Sequence, residues 1–250
     1  MEIDLALNWE RVKKHKRRLS DQYIQALADV MFARREDWLA ERLRQKDDPA
    51  LAIKFLGCLG RGGGPKAIAL LLKCLEEQGE ALQLAAVAAL RECPLGAQKE
   101  ALIRIMLKQG VAAAKAGEVL ASFGQEGRDA LWRLWFAPDG SAALRAQILR
   151  LFCAGGDARS GDLAFLALNS EEVELIRAGL KAAEELGLKG LWGNALLCVG
   201  HENWRIRGRA AAALGKLGER KALPYLAALA ADSDEWVEEE RRQAIKALSD

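Results

Sequence analysis

The sequence predicts an all-α fold, a solenoid of stacked helix pairs, and three observations predict it. First, the chain is rich in Ala and Leu and holds only five Pro in 250 residues, with few β-branched residues. Straight-chain side chains lose little rotamer freedom in a helix, so this composition favours helices over strands. Second, a two-helix unit recurs at intervals of about 30 to 34 residues, the period of architectures in which each pair buries its apolar face only against its neighbours. Third, Gly residues punctuate the units where helices must stop.

The clearest unit runs from Asn203 to Asp234. A first helix is predicted from Trp204 to Leu217, ended by Gly218 in a left-handed C-cap, and a second from Lys221 to Ala231. Pro224 falls in the first turn of that second helix, where its missing N–H costs little. The pair Ile206–Arg207 recurs as Ile176–Arg177, 30 residues earlier, and as Leu144–Arg145, a further 32 residues back. Lys54–Gly60, Ala86–Cys93 and Gly117–Gly124 match the end of the first helix. Second helices are predicted from Lys66, Lys99, Arg128, Gly161 and Gly190, and a last unit opens after Asp234 without its second helix. The whole chain, 1–250, therefore reads as one stacked domain: a divergent amino-terminal cap over 1–46, repeats over 47–235, and an incomplete repeat over 236–250.

Composition removes several function classes. Hydrophobic residues make up 51% and charged residues 29%, which excludes disorder. With 37 Lys and Arg against 35 Asp and Glu, the net charge of +2 demands no polyanionic partner. Cys58, Cys74, Cys93, Cys153 and Cys198 are odd in number and set in apolar helical contexts, as expected of buried thiols in a reducing cytosol. There is no C-x-x-C, and His15 and His201 are the only histidines, so a structural zinc site lacks its ligands. No metal or cofactor is expected. Acidic Glu2 and Asp4 follow Met1, and the longest apolar run, Ala67–Leu72, is closed by Lys66 and Lys73. No signal peptide or membrane span is expected, and the location is expected to be cytoplasmic.

The string W-R-I-R-x-x-A-A-x-A-L-G-x-L-G from Trp204 to Gly218, with the A-L-x-x-L that follows it, resembles the HEAT-like repeat, particularly the short variety of phycobilisome lyases. The likeness is strongest over Trp204–Leu229, extends over Ala50–Gly200, and is poor over 1–46. The resemblance implies a right-handed α-α superhelix of about six to seven HEAT-like helix pairs. It also implies that Arg145, Arg177 and Arg207 form a structural ladder with Asp residues of nearby turns, Asp157 and Asp232 among them. A Trp is common where the family's first helices begin, so Trp204 and Trp236 are expected to pack between repeats with the indole N–H near water.

Candidate binding residues come from register. Second helices of a solenoid line its concave surface, and aligning them brings Lys73, Arg104 and Arg133 to equivalent places, with Trp132 beside the last. The same position continues as Phe165, Asn194 and Tyr225, and Lys108 and Arg128 extend the cationic half. An acidic or phosphorylated peptide, or a nucleic acid, suits such a surface; the plainer reading is a set of solvated helix positions. Trp135 and Phe136 are expected in the core.

The amino-terminal stretch Asp4–Leu19 is predicted as an amphipathic helix, followed by one capped by Ser20 or Asp21 and running to Arg35. It carries the dense basic cluster Lys13, Lys14, Lys16, Arg17 and Arg18. The cluster reads as a solvated cap or as a contact for nucleic acid or the inner face of a membrane, and as a juxtamembrane stretch if the chain is a piece of a longer, membrane-anchored protein.

Catalytic readings find little support. HEAT-like di-iron hydroxylases use several His-Glu pairs, and His201–Glu202 is a single one. Asp129 beside Trp132 and Arg133 resembles the grouping of HEAT-like DNA glycosylases only loosely. The glycine-rich run Gly60–Lys66 lacks the spacing of a phosphate loop. The expectation is a non-enzymatic scaffold that binds a protein segment on its concave face, with nucleic-acid binding as the alternative.

Overall fold

The computed structural model describes residues 64–77, 79–108 and 110–250, with a few isolated positions before them. The expected helices over 4–35 lie outside the described residues, as do His15, Cys58 and most of the basic cluster; Lys14 is an exposed helical residue. The described chain is helical, and among the described residues there is no strand. It divides into two compact units, Met1–Leu134 and Trp135–Asp250.

In the first unit, α1 (Pro65–Glu77) packs on α2 (Glu80–Arg91), and α3 (Lys99–Leu107) packs on α4 (Val111–Ser122), which also packs on α2. The helix α5 (Gly124–Trp135) starts four residues before the expected Arg128. Leu71, Leu75, Leu90, Leu102, Met106 and Leu120 are fully buried, at the helical spacing that places one stripe of each helix inside.

The second unit shows the repeat most regularly. First helices α6 (Ala142–Ala154), α8 (Val173–Glu185), α10 (Trp204–Leu217) and α12 (Glu235–Ser249) pack successively on one another. Between them in sequence come the second helices α7 (Ser160–Leu168), α9 (Trp192–Leu197) and α11 (Leu223–Ala228). The two last are shorter than expected, because 3-10 turns over Lys189–Leu191, Cys198–Gly200 and Arg220–Ala222 take up part of each predicted helix. Pro224 sits in the first turn of α11, and Gly218 adopts the predicted left-handed conformation, φ +64°. Three of this unit's four first helices start on side-chain caps: Ser141 accepts from the Leu144 N–H, Asn203 from Arg205, and Asp234 from Trp236 and Val237, whereas Glu172 before α8 makes no such bond. Ile176, Leu180, Ile206, Ala210, Leu214, Leu226 and Leu248 join in one continuous core.

The expected arginine ladder forms one rung. Arg207 donates from Nε and Nη2 to the two oxygens of Asp232, at 2.6 and 2.8 Å. Arg145 does not reach Asp157; its guanidinium donates to the Trp135 and Ala137 carbonyls at 3.0 and 3.3 Å, while Asp157 pairs with Arg159 two residues away. Arg177 is exposed and makes no ion pair among the described residues. The residue after Arg145's register differs by one turn in the last repeat, where Glu238 stands and Arg241 supplies the guanidinium instead, donating to the Leu226 and Leu229 carbonyls at 3.0 and 2.8 Å.

Close helix approach needs small residues. A Cβ on Gly215 of α10 would lie 2.9 Å from the Ala244 Cα of α12, and one on Gly208 would lie 2.1 Å from the Trp236 ring. In an exposed helix Gly→Ala gains about 1 kcal/mol of propensity. At Gly215 the obstacle is backbone, so Gly215→Ala is expected to destabilise by about 1–3 kcal/mol instead, read as a lower midpoint in urea.

The Arg207 guanidinium holds the Asp232 carboxyl at about 2. Its unfolded value is about 3.9, so the stabilisation is complete above about pH 5 and is lost as pH falls through 4 toward 2. Asp232→Asn is expected to cost about 1–2 kcal/mol at neutral pH and to flatten the acid limb of the thermal-midpoint profile. An unchanged acid limb would show that the pair does not form in solution.

Candidate binding faces

The second helices carry the residues selected by register. In the first unit, Lys73 on α1, Arg104 on α3 and Arg133 on α5 are exposed, and none makes an ion pair among the described residues. Lys108, expected to extend this set, is committed to Glu76 at 2.7 Å and ties α3 to α1. Trp132 is half-buried.

In the second unit the register position turns apolar. Phe165 on α7 is 48% exposed and Tyr225 on α11 is 56% exposed. Asn194 on α9 is half-buried and donates to Asn169, at the end of α7, at 3.3 Å. The rings of Trp192 and Tyr225 lie 6.2 Å apart, joining α9 to α11. Beside them Leu196, Val199, Pro224, Tyr225 and Leu229 line an apolar hollow of about 620 Å³. Leu197, also on α9, is 78% exposed. Trp135 is buried as expected, but Phe136 is exposed, because α5 ends at Trp135 and the chain turns before the next ring.

Register did not single out the face made by the first helices. There, a groove of about 910 Å³ crosses α6, α8, α10 and the start of α12. Its apolar lining is Leu149, Ala178 and Ala182, together with Trp204 and Trp236. The two indoles meet edge to face at 5.7 Å, each about 40% exposed, so the expected packing between repeats is present. Arg150, Arg177, Lys181, Arg205 and Arg209 also line the groove, against Glu174 and Glu185. Lys181 pairs with Glu185 at 3.4 Å, and Arg209 lies 3.7 Å from Glu184, which also binds Lys216. The Arg205 guanidinium sits over the Trp204 ring, 4.5 Å from its centre. A sequence signal for this groove existed in the first-helix cations and the 32-residue spacing of the two Trp, but it needed the packing of successive first helices to become a surface.

The remaining candidates have structural roles. His201 accepts the Asn203 N–H at 2.9 Å through Nδ1 and closes a turn. Asp129 accepts from Gln125, one turn earlier on α5. Cys74, Cys93 and Cys198 are buried, and burial pushes the Cys93 and Cys198 thiols up. Cys153 is half-buried, and burial, then Glu185, pushes its thiol to about 11. Such thiols are protonated and poor nucleophiles at neutral pH. Among the described residues, no three His, Cys, Asp or Glu side chains are grouped to hold a metal ion, and no helix is long and apolar enough to cross a membrane.

No curated protein matches the chain. Among solved structures, human deoxyhypusine hydroxylase in complex with glycerol is 16% identical, with a TM-score of 0.42, over 85% of this chain and 83% of that one. An engineered protein is 16% identical, with a TM-score of 0.34, over 92% and 97%. A designed armadillo repeat protein in complex with the peptide (KR)4 is 16% identical, with a TM-score of 0.35, over 84% and 98%. The family model for HEAT repeats matches residues 166–249. That span runs from the end of α7 to α12, where first helices stack in register, and over it the chain is similar to HEAT repeats.

Proposed function

We propose that the chain is a non-enzymatic cytoplasmic scaffold that binds a segment of a partner protein along its second helices, the face expected to be concave. The observation that carries this reading is the set of large apolar side chains left exposed on successive second helices: Phe165 on α7, Leu197 on α9 and Tyr225 on α11. Large apolar side chains exposed on successive helices mark a surface that something covers, and Tyr225 also lines the apolar hollow. The occupant that suits it is an extended or helical polypeptide segment whose apolar side chains enter the hollow beside Tyr225. In the first unit, Lys73, Arg104 and Arg133, which make no ion pair among the described residues, suit acidic groups of a partner.

A second reading, nucleic-acid binding, rests on the same three cations and the basic cluster at Lys13–Arg18. The two differ in their salt dependence. Neutralising several phosphates gives a log-log slope of about −0.7 to −0.9 per phosphate, whereas apolar docking is much shallower.

The test is affinity capture on the full chain, with and without nuclease, followed by direct titration of the purified captured component at several salt concentrations. Phe165→Glu with Tyr225→Glu is expected to weaken a protein partner at least about tenfold, a loss of about 1.4 kcal/mol. Lys73→Glu, Arg104→Glu and Arg133→Glu together are expected to slow its association. A component that binds both sets of variants as tightly as the original chain would overturn the assignment of this face. A nuclease-sensitive component with a steep salt slope would replace it with the nucleic-acid reading.

A further inference from the structure

The first-helix groove of the second unit has a chemistry of its own. Arg150 comes from α6, Arg177 from α8 and Arg205 from α10, and none of the three makes an ion pair among the described residues. Of the two acids in the groove, Glu185 is taken by Lys181. The unpaired groups are therefore three guanidiniums against Glu174, a local cationic excess in a chain whose net charge is only +2. Guanidiniums present paired N–H donors that match the two oxygens of a carboxylate.

The apolar part of the groove narrows the class of anion. A nucleobase needs a free ring face on which to stack. Trp204 already has Arg205 over its ring and the other indole against it edge to face, and the Trp236 ring lies against Gly208. What the pair offers is an indole edge and an apolar corner beside Leu149, Ala178 and Ala182, suited to an aliphatic or aromatic side chain.

We propose that this groove docks an acidic polypeptide segment, whose carboxylates pair with Arg150, Arg177 and Arg205 while an apolar side chain packs beside Trp204 and Trp236. The site shares no residue with the second-helix face, so it stands or falls separately from the function proposed above.

The test selects binders from a random displayed-peptide library on the immobilised full chain. Arg150→Glu with Arg177→Glu, and Phe165→Glu with Tyr225→Glu, are run in parallel. Both arginines are exposed and unpaired, so the reversal is expected to leave the thermal midpoint unchanged. The original chain and the Phe165, Tyr225 variant are expected to enrich peptides that combine Asp or Glu with an aromatic or aliphatic residue. Those peptides, once synthesised, are expected to bind the arginine-reversal variant at least about tenfold more weakly. Arg150→Lys with Arg177→Lys, which keeps the charge and loses the paired donors, is expected to lie in between. Enrichment of basic or uncharged peptides, no enrichment, equal binding to the reversal variant, or displacement of the peptides by a single-stranded oligonucleotide at lower concentration would each overturn the proposal.

Discussion

The fold turns on the carbonyls that every helix leaves unbonded at its carboxyl end. A stack of short helices has many such ends, and each buried carbonyl without a donor costs about 1–3 kcal/mol. Here a side chain from a later helix, or from the turn before it, supplies the donor. Gln83 on α2 donates to the Leu75 carbonyl of α1, and Gln98, just before α3, donates to the Leu90 and Cys93 carbonyls. In the second unit guanidiniums do the same, Arg145 to Trp135 and Ala137 and Arg241 to Leu226 and Leu229, while Arg207 donates to the His201 and Glu202 carbonyls of the turn before its own helix. Because each donor belongs to the following element, satisfying one end fixes where the next helix begins. The repeat is in this sense a hydrogen-bonding device as much as an apolar one.

Two donor types produce two kinds of joint. Gln83 and Gln98 are buried and neutral, so they need no counter-charge. An arginine also brings a charge, and at Arg207 it meets Asp232 of a later turn, whose Oδ1 also accepts the Asp234 N–H. Asp234 in turn caps α12, so the charge on α10 organises the start of the following first helix. The Asp232 N–H donates to Glu238, which binds Arg241, and the network then closes on α11. The small residues Gly208 and Gly215 let α12 come close enough for this chain of contacts.

Much of this was legible in the sequence, and the rest was hidden for physical reasons. The recurrence of Ile206–Arg207, the stop at Gly218 and the place of Pro224 predicted α10 and the start of α11 closely, because caps and breakers act locally. The second helices α9 and α11 were overestimated in length, since the apolar pattern continues through their 3-10 turns and does not distinguish the two helix types. The partner of Arg145 was missed because a carbonyl acceptor leaves no trace in side-chain identity, whereas Asp232 does. Register places Phe165, Asn194 and Tyr225 on successive second helices, and they lie on α7, α9 and α11. It could not find the first-helix groove, whose cations occupy different turns of α6, α8 and α10 and meet only through packing.

The near balance of charge conceals a division of labour. In the second unit several acids are spent on internal joints: Asp157 on Arg159, Glu184 on Arg209 and Lys216, Asp232 on Arg207, and Glu238 on Arg241. Each such pair removes a carboxylate from the surface available to a ligand, while Arg150, Arg177 and Arg205 keep their charge for solvent or a partner. A chain near neutrality thus carries a locally cationic groove without any excess of basic residues, because Arg150, Arg177 and Arg205 line it while only Glu174 and Glu185 among the unit's acids do. Total composition averages over this separation, which is why +2 overall says little about what a given face of such a stack will bind.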